Sequence, residues 1–107
     1  MSNCNDSFEA YSNCLKKQLT DKNVNCSFLL TAHDICLGRT TYKQEADSIL
    51  EKLKKNPKTP TKKICCVCPE TKSVRDDCHM KGDEKSCEKY YNSHKLCLLN
   101  EGFKIDL

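Results

Sequence analysis

Apolar residues recur along this chain at helical rather than strand spacing. Cys26, Leu29, Leu30, His33, Cys36 and Leu37 stand at offsets 0, 3, 4, 7, 10 and 11, and Cys87, Tyr90, Tyr91, His94, Cys97 and Leu98 repeat those offsets. Positions so spaced share one face of a 3.6-residue helix, so both segments read as amphipathic helices with cysteines in the inner stripe. Cys4, Phe8, Tyr11, Cys14 and Leu15 fall on one side of an earlier helix. A segment after Pro69 has Val74 as nearly its only apolar support and is the least supported of the set. Ala46, Ile49, Leu50 and Leu53 mark a short helix that Pro57 ends and whose narrow apolar face must lean on a neighbour. Residues 56–63, NPKTPTKK, read as a linker.

The cysteines turn these helices into hairpins. Cys4, Cys14, Cys26 and Cys36 form two CX9C pairs separated by eleven residues; Cys68, Cys78, Cys87 and Cys97 form two more, separated by eight. Ten residues advance a helix by about 15 Å and turn it a little short of three times, so both cysteines of a CX9C face roughly one way. Two such helices packed antiparallel are stapled at two levels, and an antiparallel register requires that paired residue numbers share one sum. Of the three possible connectivities in each set, the nested one meets this rule. Cys4–Cys36 with Cys14–Cys26 sum to 40, and Cys68–Cys97 with Cys78–Cys87 sum to 165. The sequence thus predicts an all-α protein of two disulfide-stapled antiparallel hairpins, residues 1–40 and 64–107, joined by a connecting helix and a Lys/Pro linker over 41–63.

Composition explains the need for staples. Ten of 107 residues are cysteine, aromatics make up 7% and charged residues 31%, which leaves little for a large core. No apolar run is long enough for a transmembrane helix. The net charge is +3, and residues 1–61 and 62–107 each hold nine Lys and Arg, against seven and eight acids. No basic domain or stripe of a nucleic-acid binder results. The exception is Lys52–Lys63, six lysines without an acid, which reads first as a solvated linker and second as a steering patch for an acidic surface. There is no phosphate-binding glycine loop and no recognisable catalytic constellation, so the expectation is that the protein is not an enzyme.

Cys65 and Cys66 have no register partners, since Asn100 and Leu99 stand where cysteines would be needed. A bond between adjacent cysteines closes a strained eight-membered ring, which leaves two thiols or a metal site. Soft thiolate sulfur selects Cu(I), an ion that accepts two ligands where zinc wants four. A zinc reading takes Cys65 and Cys68 at CXXC spacing with Cys78 and His79, at the expense of two register-matched bridges; a thioredoxin-like reading lacks the βαβ pattern. His33 and His94, each three residues before a cysteine, are read as positions of the repeated stripe rather than ligands.

The stretch KKICCVCPETKSVRDDC, followed by Cys87, HKLC at 94–97 and EGFKI at 101–105, resembles the copper chaperones of the mitochondrial intermembrane space that supply cytochrome c oxidase, a twin CX9C or CHCH family. The resemblance covers residues 62–107, and residues 1–37 resemble a second twin CX9C unit. It implies Cu(I) on Cys65 and Cys66, structural disulfides at Cys68–Cys97 and Cys78–Cys87, and delivery by ligand exchange to inner-membrane copper-acceptor metallochaperones. It also implies import by an intermembrane-space oxidoreductase instead of a presequence, which fits a start, MSNCNDSFEA, with neither secretory nor presequence character. Phe8, Tyr11 and Cys14, three apart each, look like the family's import signal. Ile64 stands where the family usually has proline, and the family normally has one hairpin rather than two. The alternative is a structural twin CX9C subunit or assembly scaffold of a respiratory complex, docked through its first hairpin with the copper site unused.

Overall fold

The computed structural model describes residues 4–61, 63, 67–81 and 84–105. They form five helices and no strand: α1 (Asn5–Thr20), α2 (Ser27–Leu37), α3 (Tyr42–Lys55), α4 (Pro69–Met80) and α5 (Glu84–Asn100). The all-α expectation holds, including the segment with least apolar support, which is α4. Its start is set by Pro69 in the first turn, where a missing N–H costs nothing.

Helix ends follow local chemistry. Gly38, at φ 80°, ends α2, with the Arg39 N–H reaching back to the Asp34 carbonyl at 2.9 Å. The Thr41 hydroxyl caps α3 by accepting from the Gln44 N–H at 3.2 Å. At the far end α3 gives way at Asn56, one residue before Pro57.

Helices α1 and α2 form one antiparallel hairpin and α4 and α5 the other, and α5 packs against α2, α3 and α4. Four disulfides close the hairpins: Cys4–Cys36, Cys14–Cys26, Cys68–Cys97 and Cys78–Cys87, with Cα separations of 5.8, 5.8, 6.2 and 5.7 Å. Each hairpin therefore carries an outer and an inner bridge in the nested order.

The core is three small clusters rather than one. Ala46 and Ile49 of α3 meet Leu96 and Leu99 of α5, which is how the connecting helix buries its narrow face. Val67, Cys68, Cys97 and Leu98 form a second cluster; Phe28 of α2 packs on both. The third, Cys14, Cys26 and Leu29, takes in Val74, so the one aliphatic residue of α4 is spent on the other hairpin. The Ser93 hydroxyl, fully buried, donates to the Phe28 carbonyl and joins α5 to α2 again.

Several positions depart from the stripe reading, Leu30, Leu37 and Leu50 among them at 37%, 45% and 37% exposed. Phe8 and Leu15 remain 59% and 39% exposed, and Ser7, at 1%, takes the inward place on α1. The helix turns its Ser7–Cys14 line to α2, and Phe8, 100° further round, looks outward. The linker is also not simply extended in solvent. Gly102, at φ 97°, lies so close that a Cβ there would run into the Lys58 carbonyl, with Pro60 Cδ at 3.3 Å. Lys58 Nζ pairs with Glu101 at 3.4 Å.

Candidate metal centre

Cys65 and Cys66 lie outside the described residues, as does Ile64, so the site is built from what flanks them. The four bridges use eight of the ten cysteines, and Cys65 and Cys66 are the two that remain. On the C-terminal side the chain is tied down at once. Val67 is 8% exposed and packs among Cys68, Cys97 and Leu98 with Phe103 and Ile105. Cys68 holds φ at 55°, a left-handed conformation that costs a residue with a Cβ about 1–2 kcal/mol. Its bridge to Cys97, the Lys72 N–H and Thr71 hydroxyl on its carbonyl at 3.0 and 3.1 Å, and its burial hold it there.

On the N-terminal side the linker is held at Lys58 and Pro60 by the turn after α5. Both flanks of the cysteine pair therefore dock on one short segment, Glu101–Ile105. Glu101 supplies the ion pair, Gly102 the room, and Phe103 and Ile105 the apolar cover for Val67. The Phe103 N–H bonds the Leu98 carbonyl at 3.2 Å and the Gly102 N–H that of Leu99 at 3.0 Å, so α5 itself fixes this anchor.

Of the four zinc ligands considered in the sequence, the three that lie among the described residues are engaged elsewhere. Cys68 and Cys78 are in bridges, and His79 Nδ1 is 2.8 Å from the Tyr91 hydroxyl. Among the described residues no group of three or more His, Cys, Asp or Glu side chains is placed to hold a metal ion. His94, 5% exposed, lies with Nδ1 2.9 Å from Thr71 Oγ1. Because the Thr71 hydroxyl gives its one proton to the Cys68 carbonyl, it accepts from His94 Nδ1–H, which assigns the tautomer. Burial, helped by the positive charges of Arg75 and Lys72, pushes His94 down to about 4, so the ring is neutral at physiological pH.

The first hairpin contains the same relay. The Ser7 hydroxyl donates to the Cys4 carbonyl at 2.9 Å and faces His33 Nδ1 at 2.8 Å. In sequence this is a hydroxyl three residues after the first cysteine of a set and a histidine three before the last. That signal is visible in both halves, although only its histidines stood out in the stripe. Reasoning from sequence also missed Asp6 and Lys89. Lys89 Nζ sits 3.0 Å from Asp6 Oδ2 and 3.1 Å from Oδ1, and the Tyr90 hydroxyl donates to Oδ2 at 2.9 Å, tying α5 to the start of α1. Partial burial alone would raise the Asp6 carboxyl, but the hydrogen bonds from Lys89 and Tyr90 outweigh it and the net shift is downward. Burial and the same carboxylate push the Tyr90 phenol upward.

Of the import-signal residues, Phe8 is exposed with its ring centroid 5.7 Å from that of His33, Tyr11 is half-buried, and Cys14 is buried in its bridge. A cleft of about 820 Å³ lies between α1 and α4, floored in part by Leu29 and Val74 and edged by Glu9 and Asp77. No helix among the described residues is long and apolar enough to cross a membrane.

The sequence profile of a family described as Cytochrome C oxidase copper chaperone matches residues 60–105. Cytochrome c oxidase copper chaperone 2 of Arabidopsis thaliana is 50% identical over 46 residues, 43% of this chain and 64% of that protein. The cytochrome c oxidase copper chaperone of Dictyostelium discoideum is also 50% identical over 46 residues, 77% of its length. That of Sus scrofa is 46% identical over 43 residues, or 69% of its length. The chain thus spans a little under two thirds of the Arabidopsis relative, and residues 1–59 fall outside the family profile. No solved structure matches it.

Proposed function

The chain belongs to the cytochrome c oxidase copper chaperone family, and from that premise we propose that it carries Cu(I) on Cys65 and Cys66 in the mitochondrial intermembrane space. The supporting observation is the family match over residues 60–105, which contains both cysteines, while the other eight cysteines are spent in bridges. Two adjacent thiolates suit a soft ion content with two ligands. Copper is cargo here, and the protein acts as a carrier rather than a catalyst. An incoming thiolate from an inner-membrane acceptor displaces one sulfur and then the other, so the ion is never released to water. The anchors at Val67–Cys68 and Lys58–Pro60 hold the chain on either side of the cysteine pair on the end of α5.

The same reading has an intermembrane-space oxidoreductase introduce the bridges, with Phe8, Tyr11 and Cys14 recognised before Cys14 is oxidised. A second reading, a structural subunit or assembly scaffold of a respiratory complex, is favoured by one observation. Phe8, Leu15 and Leu19 on α1 are 59%, 39% and 86% exposed, and Leu30 and Leu37 on α2 are 37% and 45% exposed, a row of apolar side chains on the first hairpin.

Anaerobic Cu(I) titration against a competing chelator tests the first reading. The native chain takes up one competed copper per molecule and Cys65→Ser/Cys66→Ser takes up none. Equal uptake by both, or none by either, sinks copper carriage at this pair. Stoichiometric copurification with a membrane complex by the double variant then supports the subunit.

A further inference from the structure

The bridges differ in access. Cys14 and Cys26 are each 4% exposed, Cys68 and Cys97 are 8% and 7%, and Cys87 is completely buried beside a half-buried Cys78. Only at Cys4–Cys36 are both residues half-buried, which makes it the least covered of the four bridges. This bridge also has a cation against it. Lys89 Nζ lies 3.8 Å from Cys36 Sγ, on a side chain only 11% exposed and held by the Asp6 carboxylate at 3.0 Å.

Thiol–disulfide exchange is fastest where the attacked sulfur is accessible and the leaving sulfur is stabilised as thiolate, which a neighbouring ammonium does. We propose that Cys4–Cys36 is a thiol-exchange site for a low-molecular-weight thiol of the glutathione class. The incoming thiolate bonds to Cys4 Sγ as the Cys4–Cys36 bond breaks, and the electron pair leaves on Cys36 Sγ beside the Lys89 ammonium. The products are a mixed disulfide at Cys4 and a thiolate at Cys36. A second thiolate attacks the small-thiol sulfur of that mixed disulfide and releases the oxidised thiol. Cys4 and Cys36 are then reduced, the two electrons having come from the two thiols. Cys14–Cys26 stays closed and keeps α1 on α2, so exchange loosens the first turn of α1 without opening the hairpin. Asp6 draws on the same ammonium, so its charge opposes the effect of Lys89. The proposal is independent of the copper reading.

The experiment incubates the full chain, in the Cys65→Ser/Cys66→Ser background to exclude internal attack, in graded glutathione buffers. Samples are acid-quenched, alkylated and mapped by mass spectrometry. The expected first product carries glutathione on Cys4 and alkyl on Cys36, with the other six cysteines still bridged. Lys89→Gln slows the exchange, by about threefold for each pKa unit that Lys89 takes off the leaving thiol. Lys89→Arg keeps the native rate to within that factor, and Asp6→Asn matches or exceeds it. If Lys89→Gln and Asp6→Asn both accelerate exchange, the contact merely pins the two hairpins together and the proposal fails. It fails equally if another bridge opens first or if the adduct sits on Cys36. These last two outcomes are read on the native helices, so they decide the matter even if a Lys89 variant does not fold.

Discussion

At the outer end of the first hairpin Leu37 is 45% exposed and Cys36 half-buried; at the matching place in the second, Leu98 and Cys97 are 6% and 7% exposed. The two helices have the same stripe, yet one end is left in water and the other is roofed by α3, Val67 and the segment after Gly102. The repeated patterning thus yields a half-buried bridge in one hairpin and a sealed one in the other, because burial depends on what later chain returns to cover it. The sealed end is also the end that anchors the proposed copper loop. The open end is where Lys89 reaches a sulfur.

Removing bridges is the strongest way to break the comparison. Cys68→Ser/Cys97→Ser leaves two hydroxyls in an apolar cluster, and native disulfides in small domains are typically worth about 2–5 kcal/mol, so a loss near the top of that range is expected. Cys4→Ser/Cys36→Ser spans a similar loop but leaves its hydroxyls near water, and falls nearer the bottom. Denaturant unfolding of the two variants checks the order; equal losses would erase the distinction.

The relays sharpen the contrast. His94 binds its proton near pH 4 when folded and near 6.5 when unfolded, so between those values the unfolded chain holds more protons. Stability contributed by the neutral ring is complete above pH 6.5 and is lost as pH falls toward 4, by roughly 3 kcal/mol at most. Thermal midpoints measured from pH 7.5 to 4 should trace that decline, and His94→Gln should flatten it. The Asp6 carboxyl, held below its ordinary 3.8, contributes stability that disappears only at still lower pH.

The glycines that end the two hairpins form a third comparison. Both have positive φ, but a Cβ at Gly38 meets nothing within 4 Å, whereas at Gly102 it strikes the Lys58 carbonyl. Gly38→Ala should cost about 1 kcal/mol from φ alone. Gly102→Ala should cost roughly 1–3 kcal/mol and free the linker, read as faster amide hydrogen exchange at Lys58, Thr59 and Thr61. Smallest of all, Leu19→Ser, at an 86% exposed position, should change stability by less than about 0.5 kcal/mol. A larger loss there would mean that the apolar row on α1 is already covered.

The site was partly legible. Cys65 and Cys66 stand out because they lack register partners and sit in a family-like stretch; the roles of Glu101–Ile105 do not, since Gly102 is a glycine for a carbonyl forty-four residues earlier in the chain. Ser7 and Thr71 were readable as a repeated spacing. Asp6 and Lys89 were not, because no periodicity links a first-turn carboxylate to an ammonium in the last helix.

By itself the sequence determines the five helices and the nested register, for both are matters of local periodicity and of cysteine numbers with a common sum. Tertiary structure alone decides which of two equal stripes is buried, where Phe8 points and which bridge meets a lysine. Those outcomes rest on contacts between segments far apart in the chain, and spacing within one helix holds no information about the surface that will face it.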